Sequence, residues 1–315
     1  MFIFTIFFAF IFAVQAQHCS QPYTVNFEQE SSTLKITGGE LVCSQKYVNS
    51  LPWTEYKKTA KIVQISNMIT VPDFAFHGFV NLESVIFDDS LTTEFGDSSF
   101  ASTKIKEIEI PSSVQKIGNK CFFSCSHLEK VTFAEGSKLT TIESEAFQFC
   151  KKLLEIALPD SLEEIKTSTF FSCEGMQTLS VGKNLKNIHS RAFDGCFSLE
   201  NIIISDENQH FEVTDNVIFT KNAAEKTLVY YAIGNTQKEY TIPEGTTIIG
   251  DEAFLNSNLQ KVILPKSLKK IGDYAFMSNL KLQEIIIHEN VISIGKEAFS
   301  NCASLERIIF HKNIL

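Results

Sequence analysis

Cysteine is the residue whose spacing in this 315-residue chain most suggests chemistry, since the chain has eight cysteines. A thiolate can act as a nucleophile or a metal ligand, and two thiols can form a disulfide. A catalytic nucleophile should be singular, electropositive and partly exposed. Instead, five cysteines recur at one place in a repeated pattern: Cys125, Cys150, Cys173, Cys196 and Cys302. This recurrence favours buried thiols that pack as small apolar residues.

The geometry of a repeat also argues against disulfides within it. Neighbouring strands lie about 4.8 Å apart with parallel side chains, whereas a disulfide needs facing Cβ atoms about 3.8 Å apart. Cys121 lies in the same repeat and is expected to be a buried thiol as well. Cys19 and Cys43 lie outside the repeat, on either side of a predicted hairpin, and a disulfide between them is predicted.

The seven histidines share no register with the cysteines, and no paired CxxC and HxxxH spacing typical of a metal site occurs. We therefore expect no metal and no other cofactor. A cysteine-dependent hydrolase would pair a repeated thiol with His127 or His189, and it is kept as a further alternative. The sequence contains no glycine-rich phosphate loop and no nucleophile elbow, so it does not favour an enzyme.

A repeat with a period of about 23 residues must position these side chains. It aligns on a phenylalanine that usually follows alanine: Phe76, Phe100, Phe122, Phe147, Phe170, Phe193, Phe254, Phe276 and Phe299. The clearest unit, residues 146–165, reads AFxxCxxLxxIxLPxxLxxI. Alternating apolar residues before proline predict a strand, AFxxCxxL predicts a helical turn, and LxxI predicts a short second strand. Because one unit cannot bury enough apolar surface to fold alone, we predict a single curved solenoid of about nine units.

Two stretches depart from the period and define the predicted domains. Residues 17–60 contain alternating apolar segments around a polar turn and are expected to form an N-terminal β-rich cap with a hairpin. Residues 61–315 carry the repeats. An enlarged repeat at 205–240 is expected to contain a hairpin, because apolar runs flank its polar residues 220–227.

The first 16 residues have the features of a signal peptide. Residues 1–14 are apolar and uncharged but shorter than the roughly 20 residues of a membrane span, and cleavage is expected before Gln17. No later membrane-spanning stretch or lipid-anchor signal occurs in the sequence. We therefore expect a protein without a transmembrane anchor that is either secreted or extracellular and associated with the cell surface. The net charge of −9 argues against a nucleic-acid partner.

The recurring string AFxxCxxLxxIxLPxxLxxIG, over residues 60–315, resembles the BspA-like class of leucine-rich repeats. Residues 24–53 and the enlarged repeat also resemble segments that accompany those repeats. The resemblance implies a right-handed leucine-rich-repeat solenoid, with a parallel β-sheet, that adheres to host-cell, matrix or microbial surface proteins. The sequence departs from the family pattern in its cysteine position, which holds Phe79, Thr103, Ser257 and Asn279 in four units.

The middle residue of each strand should point outward from the sheet. In the C-terminal half this residue is isoleucine in four units, with charged neighbours that include Glu284 and Arg307: Ile203, Ile263, Ile286 and Ile309. We expect these side chains to form an apolar stripe that binds a partner protein. The alternatives are that isoleucine merely favours strands or that residues 211–231 cover the stripe. A self-associating surface protein, joined through its C-terminal repeat, is the second functional hypothesis.

Overall fold

The computed structural model describes residues 24–38, 51–88, 91–189 and 191–310. The predicted signal peptide, Cys19 and Cys43 lie outside these residues. The chain winds into a solenoid, as predicted, because each coil buries its apolar side chains against the coils before and after it. Each regular coil has a longer strand on its first side, a short strand on its second side and a turn on its third.

The first side begins with a hairpin of β1 (Thr24–Glu28) and β2 (Thr33–Thr37), which confirms the predicted cap hairpin. Eleven longer strands of the described chain follow: β3 (Ile62–Ser66), β5 (Ser84–Phe87), β7 (Glu107–Ile110), β9 (Lys130–Phe133), β11 (Glu155–Ala157), β13 (Thr178–Val181), β15 (Asn201–Ile204), β19 (Glu239–Thr241), β21 (Lys261–Ile263), β23 (Glu284–Ile287) and β25 (Arg307–Phe310). The described coils therefore outnumber the nine predicted units, since β3 and β19 belong to coils that lack the Ala-Phe motif.

Strand pairing divides the first side into three sheets, where one continuous sheet was expected. Sheet 1 has the order β1-β2-β3-β5, sheet 2 runs from β7 to β15, and sheet 3 runs from β19 to β25. All pairs within sheets 2 and 3 are parallel.

The second side carries short parallel strands: β4 (Thr70–Val71), β6 (Glu94–Phe95), β8 (Lys116–Ile117), β10 (Thr141–Ile142), β12 (Glu164–Ile165), β14 (Asn187–Ile188), β22 (Lys270–Ile271) and β24 (Ser293–Ile294). The enlarged repeat adds an antiparallel meander to this side, formed by β16 (Phe211–Thr214), β17 (Val217–Thr220) and β18 (Lys226–Tyr231). β18 then pairs in parallel with β20 (Thr246–Ile249).

The third side is made of turns, so the predicted helical turn is wrong. Nine coils of the described chain place two residues in the left-handed region, four positions apart, on either side of the Ala-Phe segment; Lys120 and Ser124, with φ of 55° and 57°, are one such pair. An α-helix needs φ near −63° at each residue, so these residues prevent it. Within the described chain the only helix is a 3-10 helix at Thr54–Lys58 in the cap.

The turns are held by hydrogen bonds that run from each coil to the next. The N–H groups of Lys120, Phe122 and Ser124 donate to carbonyls of the following coil at 3.1, 2.7 and 2.8 Å. The N–H groups that donate to the following coil therefore belong to every second residue of the turn. The left-handed residues cost about 1–2 kcal/mol each, and the hydrogen bonds between coils offset that cost.

The repeated phenylalanines form a stack through the core. Six successive rings, from Phe76 to Phe193, lie nearly parallel with centroids 5.2–5.8 Å apart. Trp53 of the cap covers the first ring at 5.9 Å, and its indole N–H donates to the Ala75 carbonyl at 2.8 Å. The lone tryptophan therefore closes the N-terminal end of the described core.

Candidate partner-binding surface

Three isoleucines of the predicted stripe lie side by side on sheet 3. Ile263, Ile286 and Ile309 are 41, 37 and 36% exposed, and strand pairing places Ile286 directly opposite Ile309. In β21 and β23 the residues on either side of the isoleucine point inward and form the core, as Val262 and Ile285 do. Alternation along a strand therefore leaves one apolar row outside.

A charged row runs beside the isoleucines at the start of the same strands. Its four members alternate in sign, from Glu239 through Lys261 and Glu284 to Arg307. Arg307 contacts Glu284 at 2.7 Å, and Lys261 lies 4.0 Å from Glu239. The acidic and basic side chains neutralise each other, so the apolar row has a polar border without a net charge of its own.

The expected stripe of four isoleucines is not joined by strand pairing. Ile203 is 50% exposed but lies on β15, the last strand of sheet 2, and β15 does not pair with β19. The neighbour of Ile263 on the other side is Thr241 of β19. The cause is the enlarged repeat, which separates β15 from β19 in the chain.

The enlarged repeat does not cover the isoleucines. Its strands β16 to β18 belong to the sheet on the second side of the solenoid, whereas the isoleucines lie on the first. Ile263 and Ile286 instead line a shallow cavity of about 120 Å³ together with Lys261, Glu284 and His288. Lys261 is one of the charged neighbours that the sequence places beside the isoleucines, whereas His288 was not among the predicted site residues.

The repeated cysteines are free thiols, as predicted. Cys121, Cys125, Cys150, Cys173 and Cys196 are buried, and Cys302 is half-buried. Burial raises the pKa of Cys125 to about 11 and that of Cys173 to about 12. Because the thiolate is the reactive form, these pKa values do not support the hydrolase alternative.

In six coils of the described chain, the residue at the cysteine position donates a side-chain hydrogen bond to a carbonyl of the preceding coil. The sulfurs of Cys150 and Cys173 donate to the carbonyls of Phe122 and Phe147 in the preceding coils, at 3.3 and 3.2 Å. Asn279 takes the same role with its side-chain amide. Composition alone suggested only that small or apolar residues fit there, since the donated bond is not visible in the sequence.

The histidines are dispersed. His189 contacts Glu164 at 2.5 Å and His127 lies 3.3 Å from the Ser126 hydroxyl. Desolvation lowers the pKa of His77, and the charge of nearby Lys57 lowers it further.

The described residues contain no group of three or more histidine, cysteine, aspartate or glutamate side chains that could hold a metal ion. They also form no helix of the length and hydrophobicity that crossing a membrane requires.

Solved structures of bacterial leucine-rich repeat proteins resemble this fold. One, from Eubacterium ventriosum, matches with a TM-score of 0.66 and 20% identity, over 93% of this chain and 73% of the other. The pneumococcal vaccine antigen PcpA matches with a TM-score of 0.60 and 23% identity, over 93% of this chain and 80% of its own. These likenesses show the fold. No curated protein matches the chain.

The sequence also matches the BspA type leucine rich repeat region, in six copies, over residues 54–156, 135–229 and 229–315. These ranges include most of the chain and every coil that carries the Ala-Phe motif. The chain therefore belongs to the BspA-type leucine-rich repeat family.

Proposed function

We propose that this protein is an extracellular recognition scaffold that adheres to partner proteins through the outer face of sheet 3. The observation that carries the proposal is the exposed row of Ile263, Ile286 and Ile309 beside the alternating charges. An exposed apolar row with a polar border is typical of a protein-binding surface. The hydrogen bonds within sheet 3 keep the row rigid, which lowers the entropy lost on binding.

The apolar row is large enough to contribute to affinity but not to explain it alone. Burying a whole isoleucine side chain stabilises a complex by about 1.5–3 kcal/mol. About two fifths of each side chain is still exposed here, so the three together can supply roughly 2–4 kcal/mol. Bonds to the charged row and contacts elsewhere on the partner must supply the rest.

The signal peptide predicted at residues 1–16 and membership of the family support the proposed extracellular location. The structural similarity to a vaccine antigen agrees with a location at or outside the cell surface. Host-cell, matrix and microbial surface proteins are accordingly the proposed partners.

The test is binding of the secreted chain to a panel of purified matrix and host-surface proteins. The variant Ile263→Thr/Ile286→Thr keeps β-branched residues in both strands and removes much of the apolar row. We expect it to bind a positive partner about tenfold more weakly, the ratio given by roughly 1.4 kcal/mol of lost apolar contact.

Ile86→Thr is the matched control, because Ile86 is an outward residue of β5 with 46% exposure, on sheet 1. It should bind as the unmodified chain does. Equal binding by the double variant and the control would exclude the isoleucine row as the binding surface.

Self-association is the second candidate function, and the exposed apolar residues of β25 favour it. Ile308, Ile309 and Phe310 are 39, 36 and 51% exposed. If copies join through this strand, sedimentation velocity will show an average mass that rises with concentration, and Ile309→Lys will abolish the rise. A constant monomer mass would exclude this function.

A further inference from the structure

The enlarged repeat interrupts the hydrogen-bond ladder of the third side. In regular coils, three N–H groups donate to carbonyls of the next coil, as Phe122 does to Ala146 at 2.7 Å. At the enlarged repeat the equivalent groups belong to Arg191, Phe193 and Gly195. None of the three donates to a backbone carbonyl in the part of the chain that the structure describes.

The coil beyond the interruption has unpaired acceptors at the matching positions. The N–H of Tyr231 donates to the Ala253 carbonyl at 2.9 Å and so fills the middle position. The carbonyls of Asp251 and Leu255 on either side accept no hydrogen bond from any described residue, although both equivalent carbonyls of the following coil are paired. The interruption therefore presents donors on one wall and acceptors on the other.

A cavity of about 380 Å³ lies between these walls, and Arg191, Phe193, Asp251 and Leu255 all line it. The core behind it is filled, because Tyr230 packs on Phe193 and Tyr231 packs on Phe254, each with ring centroids 5.2 Å apart. The space that remains is on the outer turn side, where a regular coil would place its backbone.

One carboxylate oxygen at the cavity lacks a hydrogen-bond partner among the described residues. The Oε2 atom of Glu252 is buried and makes no hydrogen bond in the described chain. Burial raises the pKa of this carboxyl group, while the charge and the N–H of Arg191 partly oppose the rise. Each basic side chain that lines the cavity already contacts a carboxylate: Lys186 contacts Glu163 at 2.9 Å, His189 contacts Glu164 at 2.5 Å and Arg191 contacts Asp194 at 3.4 Å.

We propose that this cavity binds an extended segment of a partner polypeptide that carries an arginine or lysine. The segment pairs its backbone with the Phe193 N–H and with the carbonyl of Asp251, beside the position that Tyr231 fills, and its cationic side chain reaches Glu252. An extended chain can do this because successive residues direct their N–H and C=O groups to opposite sides.

This site is separate from the isoleucine surface. It lies on the second and third sides of the solenoid, whereas the isoleucine row lies on the first. The cavity and the isoleucine row can therefore be tested, and can fail, independently.

The test uses the full chain and the probe acetyl-Ala-Ala-Arg-Ala-Ala-amide, followed by two-dimensional NMR titration. We expect saturable shifts at residues 189–195 and 250–256. A peptide with citrulline, a neutral isostere of arginine, should bind about tenfold more weakly, the ratio expected when a charge-assisted hydrogen bond becomes a neutral one. Methylation of the peptide nitrogen after arginine should also weaken binding, because it removes a backbone donor.

The variant Glu252→Gln keeps the shape of the side chain and should bind the arginine and citrulline peptides equally, whereas Ile263→Thr should leave both affinities unchanged. Absence of cavity shifts at millimolar peptide would overturn the proposal, as would an undiminished preference for arginine in Glu252→Gln. Agmatine supplies the guanidinium without a peptide backbone. If it binds as tightly as the peptide, the cavity recognises only the cation and the assignment of a polypeptide is wrong.

Discussion

Substitution of Asn279 tests the donor role of the repeated cysteine position. The side chain is fully buried, and its amide donates to the carbonyls of Phe254 and Phe276 at 2.7 and 2.8 Å. Its oxygen accepts a bond from the buried Ser257 hydroxyl. Asn279→Leu keeps the number and branching of the side-chain heavy atoms, although its methyl groups are bulkier, and it removes these three bonds. Asn279→Cys restores the residue found in five other coils and keeps one donor.

The expected magnitude follows from counting these bonds. Each buried hydrogen bond contributes about 0.5–1.5 kcal/mol, so the leucine variant loses roughly 3 kcal/mol before its extra apolar burial offsets part of the loss. A net destabilisation of about 2 kcal/mol is expected for Asn279→Leu and about 1 kcal/mol for Asn279→Cys.

Hydrogen exchange measured by mass spectrometry on peptides 254–302 reports this loss locally. Stability in a solenoid is a sum over coils and their neighbours, so these coils should exchange about 30-fold faster in Asn279→Leu and about fivefold faster in Asn279→Cys. Peptides 122–173 are the internal control and should change little. Equal exchange in the two variants, or equal acceleration at 122–173, would refute the donor role.

Three further predictions concern the cap, the thiols and the buried carboxyl group. Trp53→Phe removes the bond to the Ala75 carbonyl and should lower the free energy of unfolding by about 1–3 kcal/mol in urea; an unchanged midpoint would contradict the capping role. In the folded protein at pH 8, Cys302 should react first with iodoacetamide, because it is only half-buried whereas the other described thiols are buried; equal rates would contradict this. Burial raises the pKa of Glu252, so the folded state favours the protonated form. Its contribution to stability is therefore complete below the unfolded pKa near 4.5 and is lost as pH rises through the folded pKa. Glu252→Gln should accordingly stabilise the protein at pH 7 and bring no gain at pH 4, as measured by thermal unfolding at both pH values.

The strand positions could be predicted because each unit repeats the same alternation of apolar residues. The stack from Phe76 to Phe193 follows from the period alone, since stacked coils must place equivalent residues above one another. The turn geometry could not be predicted this way. Seven of the nine turns have no glycine at either left-handed position, so residues such as Lys120 and Glu145 give no local signal of it.

The candidate surface was predictable in part because apolar residues alternate along each strand. Alternation identified Ile263, Ile286 and Ile309 as outward residues, and all three are exposed. Their separation from Ile203 depends on how the enlarged repeat folds between β15 and β19. The repeat period carries no information about that fold. Whether these residues bind a partner stays a prediction.

The sequence by itself determined what recurs, namely the family, the coil and the apolar core, because a repeated unit can bury its side chains only against copies of itself. The tertiary structure alone decided what happens where the repeat is broken. There, residues far apart in the chain, such as Phe193, Tyr230 and Glu252, line one cavity, and the backbone groups left unpaired depend on which coils become neighbours.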